Sequence, residues 1–276
     1  METAFLCWNL NRKPLQQLVA ELARSRSVDV LILLECAIGI ADLLLALNEP
    51  GSAEAIFYYA ATPAGSSDEI KIFTRFSTEF LRPIQDARRL TIRHLVLPAR
   101  TDVMLAVVHF RSKLHWSDTS QYFECTELGR TIADAERQVG HSQTVLAGDL
   151  NMNPFEAGVV AANGLNATMV RSQALKQSRT VQDKEYTFFY NPMWGHFGDG
   201  ELKPPGTYHN VSNEHVTYYW NIFDQVLVRP SLVERLSRDG VEIVTSVAGA
   251  SLLTRNGRPD KSVGSDHLPL LFRLDL

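Results

Sequence analysis

Apolar runs in this sequence end repeatedly in residues able to bind cations or move protons: Asn9 and Asn11, Glu35, His109, Asp149 and Asn151, Asp224, then Asp266 and His267. A single Asp after a strand is usually a helix cap or a turn residue. A recurring set needs a shared explanation, and strand ends that feed loops are where layered α/β folds assemble their sites. The set is rich in hard oxygen donors and lacks clustered thiols, which suits magnesium or manganese better than zinc. The two histidines add donors for a phosphate oxygen, or proton carriers near neutral pH. The sequence has no Walker-type Gly-rich loop and no Gly-x-Ser-x-Gly turn, which sets aside nucleotide-driven motors and serine hydrolases. Water activated by a metal or a carboxylate is left as the nucleophile.

Such residues act together only if strands deliver them to one place. Residues 3 to 10 read as a buried strand, and Pro14 opens an amphipathic stretch with Leu15, Leu18, Val19 and Leu22 at helical spacing. The run from Val28 to Leu34 is too short for a buried helix and ends in Glu35, so the chain opens strand, helix, strand. A helix is expected near 37 to 48, and strands at 55 to 60, 70 to 76, 93 to 98 and 102 to 110, with no room for helices between them. The longest helix is expected at 118 to 139, followed by a strand at 144 to 147 that runs into Gly148 and Asp149, and by another helix after Pro154. Residues 195 to 215 turn rich in Gly, Pro, Asn and His, which marks a long surface loop. A strand at 218 to 228, a helix at 231 to 238 and strands at 241 to 248 and 268 to 274 complete the reading. With no repeat, low-complexity tract or long linker, residues 1–276 are expected to form one domain of layered α/β type.

The chain of 276 residues is 45% hydrophobic and 21% charged, an ordinary globular balance. Its net charge of -4 gives no global electrostatic footprint for nucleic acid, so any such footprint must be local. Arg88, Arg89, Arg93 and Arg100 lie close together, as do Arg111 and Lys113; they would line a phosphate-binding groove or simply form a solvated surface. Three cysteines, Cys7, Cys36 and Cys125, suit reduced, buried thiols and a cytoplasmic setting. No leader peptide and no apolar run long enough for a membrane span is read, so no membrane partner is expected.

Six segments carry a resemblance: Trp8-Asn9-Leu10-Asn11, Leu33-Leu34-Glu35, Val108-His109, Gly148-Asp149-Leu150-Asn151, Phe223-Asp224-Gln225-Val226-Leu227 and Ser265-Asp266-His267-Leu268-Pro269. In this order they resemble the motifs of the endonuclease/exonuclease/phosphatase superfamily. The resemblance implies a four-layer α/β sandwich, two packed mixed β-sheets flanked by helices, with the site where loops of both sheets meet. It also implies roles. Glu35 is similar to the metal-binding glutamate, with Asn9 beside the metal or phosphate, and Asp266 helps at the metal. Asn11 joins them as a neutral donor where abasic-site enzymes have Asp. Asp149 resembles the aspartate that orients or deprotonates water, Asn151 the amide that holds a phosphate oxygen, and His267 the histidine on the scissile phosphate. Asp224 resembles the aspartate that orients that histidine. His109 is similar to the second histidine of deoxyribonuclease-like and phosphatase-like members, where abasic-site enzymes carry Tyr. The segment from Glu69 to Arg75 departs from the family's Gly-rich strand.

The implied activity is hydrolysis of a phosphate ester with magnesium or manganese, most simply a nuclease acting on DNA or RNA. A phosphatase or phosphodiesterase for a small molecule or lipid headgroup is the alternative, and a catalytically silent binding module a third reading. Trp194 beside the polar loop and Tyr208 and His209 within it are the expected substrate contacts, Trp194 by stacking on bases. Trp220 is expected in the core, and His94, His115 and His141 have no motif around them.

Overall fold

Alternate side chains of the strand Val103–His109 enter two different cores, and this fixes the layering: Leu105 and Val107 join one apolar cluster, Met104, Ala106 and Val108 the other. The same split recurs in Thr144–Asp149, with Val145 and Ala147 on one side and Leu146 on the other, and in Asp224–Val228. A computed structural model of the chain describes residues 2–49, 57–61, 69–114, 116–198, 200 and 203–276.

One sheet holds β1 (Glu2–Asn9), β2 (Val30–Leu34), β3 (Tyr59–Ala60), β4 (Ile70–Thr74), β16 (Leu236–Ile243) and β19 (Leu270–Asp275), in the order β16-β19-β1-β2-β4-β3. The second holds β5 (Leu81–Ala87), β6 (Leu90–Leu95), β7 (Val103–His109), β8 (Thr144–Asp149), β9 (Ala167–Thr168), β12 (Phe189–Tyr190) and β15 (Asp224–Val228), in the order β5-β6-β7-β8-β15-β12-β9. Three ribbons complete the described strands: β10 (Ser178–Val181) with β11 (Lys184–Thr187), β13 (Tyr208–His209) with β14 (Trp220–Asn221), and β17 (Ser246–Val247) with β18 (Ala250–Ser251). Helices α1 (Gln16–Ser25) and α2 (Ile40–Leu47) bury Val19, Leu22, Leu43 and Leu47 in the cluster that holds the first sheet. On the far side, α3 (Asp118–Val139) and α4 (Ala157–Val160) cover the second sheet with Cys125, Leu128, Ile132 and Val159; a last short helix, α5, spans Arg171–Ala174. The result is helix, sheet, sheet, helix, the four-layer α/β sandwich that the resemblance implies.

The longest helix has legible ends: Ser117 accepts a hydrogen bond from the Ser120 N–H, and Gly140 closes it at φ 88°. All three cysteines are free and buried, Cys7 between the sheets, Cys36 just after β2 and Cys125 on the inner face of α3. Several expectations need correction. The helix expected at 231 to 238 is a 3-10 turn at Pro230–Leu232 followed by strand β16, because the outer edge of β19 takes a partner there and pairs Val241 with Phe272. Helical spacing is only a local preference, and edge pairing with burial of Leu236 overrides it. The run 218 to 228 breaks at Ile222–Phe223 into β14 and β15. Strand β5 and the hairpin β10–β11 are too polar to read as strands from the sequence. Residues 55 and 56 of the expected strand at 55 to 60, and His115, lie outside the described residues.

Gly148 is required where it stands. It has φ 141°, and a Cβ there would lie 1.9 Å from the Val108 carbonyl oxygen of the adjacent strand. Gly148→Ala is therefore expected to cost at least about 3 kcal/mol, as an overpacked core with a strained backbone. The urea midpoint of the purified variant checks this; a midpoint equal to that of the parent would show that the strand gives way without cost.

Candidate active site

Strand register brings the chemistry into one row. In β7 and β8, which run parallel, His109 is the partner of Asp149, and in the antiparallel pair β8 and β15, Asp149 is the partner of Asp224. The first sheet meets this row from above: Asn9 ends β1 opposite Leu34, and Glu35 follows directly. Asn11, Glu35 and Asn151 take left-handed backbone at φ 48°, 44° and 49°. Such conformations cost little for Asn and more for Glu; at Asn11 and Asn151 the backbone N–H meets Asn9 Oδ1 and Asp149 Oδ1, and at Glu35 the carboxylate meets His109 and Asn9.

Asp149 lies at the centre and is 1% exposed. Its Oδ1 accepts the Asn151 N–H at 2.8 Å, and its Oδ2 accepts the Asn9 side-chain amide at 3.0 Å. The same Asn9 nitrogen reaches Glu35 Oε1 at 3.3 Å, while Asn9 Oδ1 accepts the Asn11 N–H at 2.9 Å. Asn9 thus ties two carboxylates together through its N–H groups, and its oxygen is engaged with the backbone. Burial pushes the Asp149 carboxyl up, with His267, His109 and the Asn151 N–H pulling against it.

Each histidine is oriented by a buried carboxylate. His267 Nδ1 lies 2.7 Å from Asp224 Oδ2. Burial disfavours its charged form, but Asp224, Asp149 and Asp266 outweigh that and lift it to about 10. Asp224 Oδ1 is shielded and has no hydrogen-bond partner among the described residues. His109 has the matching arrangement, with Nδ1 at 2.9 Å from Glu69 Oε2 and Nε2 at 3.2 Å from Glu35 Oε1. Burial lowers His109, yet the bond to Glu35 and the charge of Asp149 leave it raised. The His109 bond, against burial, holds Glu35 down to about 2.

Glu69 was not singled out by the motif reading. It precedes β4, and β4 runs antiparallel to β2, so the start of β4 lies beside the end of β2, where Glu35 stands. A carboxylate before such a strand is the signal that finds it.

Around this row opens a cleft of about 950 Å³, lined by Asn9, Asn11, Glu35, His109, Asp149, Asn151, Asp266, His267 and Tyr208 among others. Tyr208 stacks on Phe223 at 5.3 Å and leans on the His267 ring at 4.7 Å. Trp194 and His209 are not part of the lining. Trp194 is packed behind it, edge-on to Phe155 at 6.2 Å, and His209 lies edge-on to Trp220 at 5.1 Å. The expected arginine group also divides. Arg93 is 1% exposed and pairs with Asp86 at 2.8 Å, and Arg100 bonds Thr3, whereas Arg88, Arg89, Arg111 and Lys113 line the cleft.

Asp149, Asp224 and His267 offer ligand atoms within 4.8 Å of one another, a potential metal trio among the described residues. That trio is closed: all three are buried, and His267 Nδ1 is taken up by Asp224. Glu35 and Asp266 have side chains 27% and 14% exposed and face the cleft. A magnesium-sized ion keeps several waters and needs only one or two carboxylates, and Glu35 and Asp266 are cleft-lining oxygen donors of that kind.

The raised His267 sets a pH window. A group whose folded pKa is raised contributes stability that is complete below its ordinary value of 6.5 and is lost as pH rises through about 10. In chelator-treated protein, the stability gap to Asp224→Asn should be widest near about pH 6 and shrink towards about pH 10. Urea denaturation across that range tests it; a gap independent of pH would mean that no imidazolium is paired with Asp224.

No family model matches the chain, and no curated protein matches it. Solved structures do. An endonuclease/exonuclease/phosphatase family protein from Bacteroides thetaiotaomicron matches with a TM-score of 0.59 at 13% identity, covering 99% of this chain and 95% of that one. Another such family protein, from Leptotrichia buccalis C-1013-b, gives 0.58 at 13% identity over 99% and 100% of the two chains. TDP2 from D. rerio, complexed with a single strand DNA product, gives 0.56 at 15% identity over 100% and 99%. Across 99% of its length, then, this chain has the fold of these two solved endonuclease/exonuclease/phosphatase family proteins.

Proposed function

We propose that the protein is a divalent-metal-dependent phosphodiesterase that hydrolyses nucleic acid. The observation that carries this is the row His109, Asp149, Asp224 with His267 above it: a buried carboxylate between two histidines, each oriented by its own carboxylate, on the floor of an open cleft. In this reading Asp149 orients the attacking water and takes its proton, since each of its oxygens keeps a lone pair beyond the bond it already accepts. Asn151 gives one amide hydrogen to the Phe110 carbonyl at 2.9 Å and has the second for a phosphate oxygen. His267, held charged with Nδ1 on Asp224, donates from Nε2 to the scissile phosphate. Magnesium or manganese, held by Glu35 and Asp266, would supply Lewis-acid charge neutralisation at the phosphate. The three buried free thiols support a reducing, cytoplasmic setting, and no described helix is long and apolar enough to cross a membrane.

A second reading, a phosphatase or phosphodiesterase for a lipid headgroup or another small phosphate ester, is favoured by exposed Leu114 and Val216 on the cleft wall. Salt separates the two. Cleavage of nucleic acid should weaken steeply with ionic strength because bound Arg and Lys release counterions; a flat response with release of free phosphate would favour the small ester.

Hydrolysis should vanish with chelator and return with magnesium or manganese, and Glu35→Ala should fold normally yet need more metal; full activity in excess chelator would rule out the metal. Asp149→Asn should be the most severe single change, losing more than about tenfold, or roughly 1.4 kcal/mol of barrier. Asp224→Asn should slow turnover by misplacing the imidazole, so adding His267→Ala should cost little more, since residues acting as a unit are not additive. Single-turnover cleavage by the three single variants and the double variant measures this, and losses that multiply would show that Asp224 acts on its own.

A further inference from the structure

The two flanks of the cleft differ in chemistry. In the second sheet, Arg88 and Arg89 form the turn between β5 and β6, and β6 lies two strands from β8. Two strands away on the other side is β12, followed by the 3-10 turn Pro192–His196 that carries Trp194. With strands about 4.8 Å apart, each flank stands about 10 Å from the Asp149 strand.

On the first flank Arg12, Arg88 and Arg89 each bring an Nη2 to 3.7 Å from Glu69 Oε1. At that distance the buried carboxylate gathers the three guanidiniums by charge, so that their planar forks stand together at the cleft wall. Glu69 is 6% exposed, whereas Arg12 and Arg88 are 56% and 72% exposed. Arg89 is anchored by Nη1 on the His109 carbonyl at 3.2 Å, and its shielded Nε has no hydrogen-bond partner among the described residues. A phosphate oxygen supplies what this arrangement of donors fits.

On the second flank Tyr218 lines the cleft and is 58% exposed. Its ring meets Phe155 at 5.3 Å and 62°, and Phe155 in turn packs on Trp194 and Phe197. The next residue, Tyr219, has φ 60°, an unusual conformation for Tyr, fixed by hydrogen bonds from Asn210 N–H to its carbonyl and from Trp220 N–H to the Tyr218 carbonyl. Three rings thus buttress a fourth that stands in solvent at the cleft wall.

We propose that the cleft is specific for an unpaired nucleic-acid strand, with a backbone phosphate next to the scissile one seated by Arg12, Arg88 and Arg89 and an unpaired base stacked on Tyr218. This rests on the phosphodiesterase reading above. An aromatic platform reads the face of a base, and in a duplex both faces are covered by neighbouring pairs, so stacking there requires a base to be pulled out. A duplex also presents two rows of phosphates, while the exposed guanidiniums gathered on Glu69 stand on one flank.

The test compares one sequence as single-stranded DNA, single-stranded RNA and blunt DNA duplex, with bis-p-nitrophenyl phosphate as an ester that has neither a second phosphate nor a base. At least one single strand should exceed the duplex in kcat/KM by about tenfold or more, and Tyr218→Ala should lower that strand's kcat/KM about ten- to hundredfold, through KM. Tyr218→Phe should restore it, and the ratio of strand to bis-p-nitrophenyl phosphate cleavage should fall in Tyr218→Ala. Arg88→Ala with Arg89→Ala should raise KM for the strand and flatten its salt dependence. Equal rates on strand and duplex, or an unchanged KM in Tyr218→Ala, would overturn the proposal. Hydrolysis of bis-p-nitrophenyl phosphate without cleavage of any strand would overturn it while leaving the phosphoesterase reading in place; no hydrolysis of any ester with either metal would overturn that reading itself.

Discussion

Burying the Asp149 carboxylate between two sheets costs several kcal/mol unless its surroundings replace the lost water. Much of the architecture around the site can be understood as that replacement. One oxygen is met by the N–H of Asn151, whose left-handed backbone aims it back, and the other by the amide of Asn9 at the end of β1. Two histidines stand at 4.0 Å from Oδ2, each kept in place by a further carboxylate. The chain of compensation ends at Glu69, whose own charge is answered by arginines at the cleft wall.

That constraint explains why the two sheets must hold a fixed register. A slip of one residue between β7 and β8, or between β8 and β15, would send His109 or Asp224 to the opposite face, into the apolar core under α3. Gly148 supports the same register by letting β8 approach the Val108 carbonyl. The site and the second sheet are therefore one object, and the strand end that brings Asn9 and the loops that bring Glu35 and His267 only complete it.

Much of this was legible in the sequence because it is local. Strands β1, β2, β7 and β8 are dense apolar runs with polar ends, and α3 has Ser117 and Gly140 at its limits. What escaped was decided by contacts distant along the chain. Glu69 gains its place only when β4 folds back along β2. The segment after Pro230 has helical spacing, yet β19 offers an edge and the chain takes it. Trp194 suggested a stacking residue by type and loop position, but it lies behind Phe155, and the exposed ring is Tyr218. Arg88 and Arg93 look alike in sequence, whereas one lines the cleft and the other is sealed against Asp86.

The buried thiols give this molecule an internal clock. Burial pushes Cys7 and Cys125 well above the ordinary thiol range, with the nearby carboxylates adding to it, so neither is a thiolate while the fold is closed. Reaction with an alkylating reagent must then wait for an opening event, and its rate reports how often that occurs. Cys7 sits between the two sheets under the catalytic row and Cys125 on the buried face of α3, so the two positions time different events. Whether the sandwich parts at its centre or sheds its outer helix first can be read from which sulfur is marked earlier.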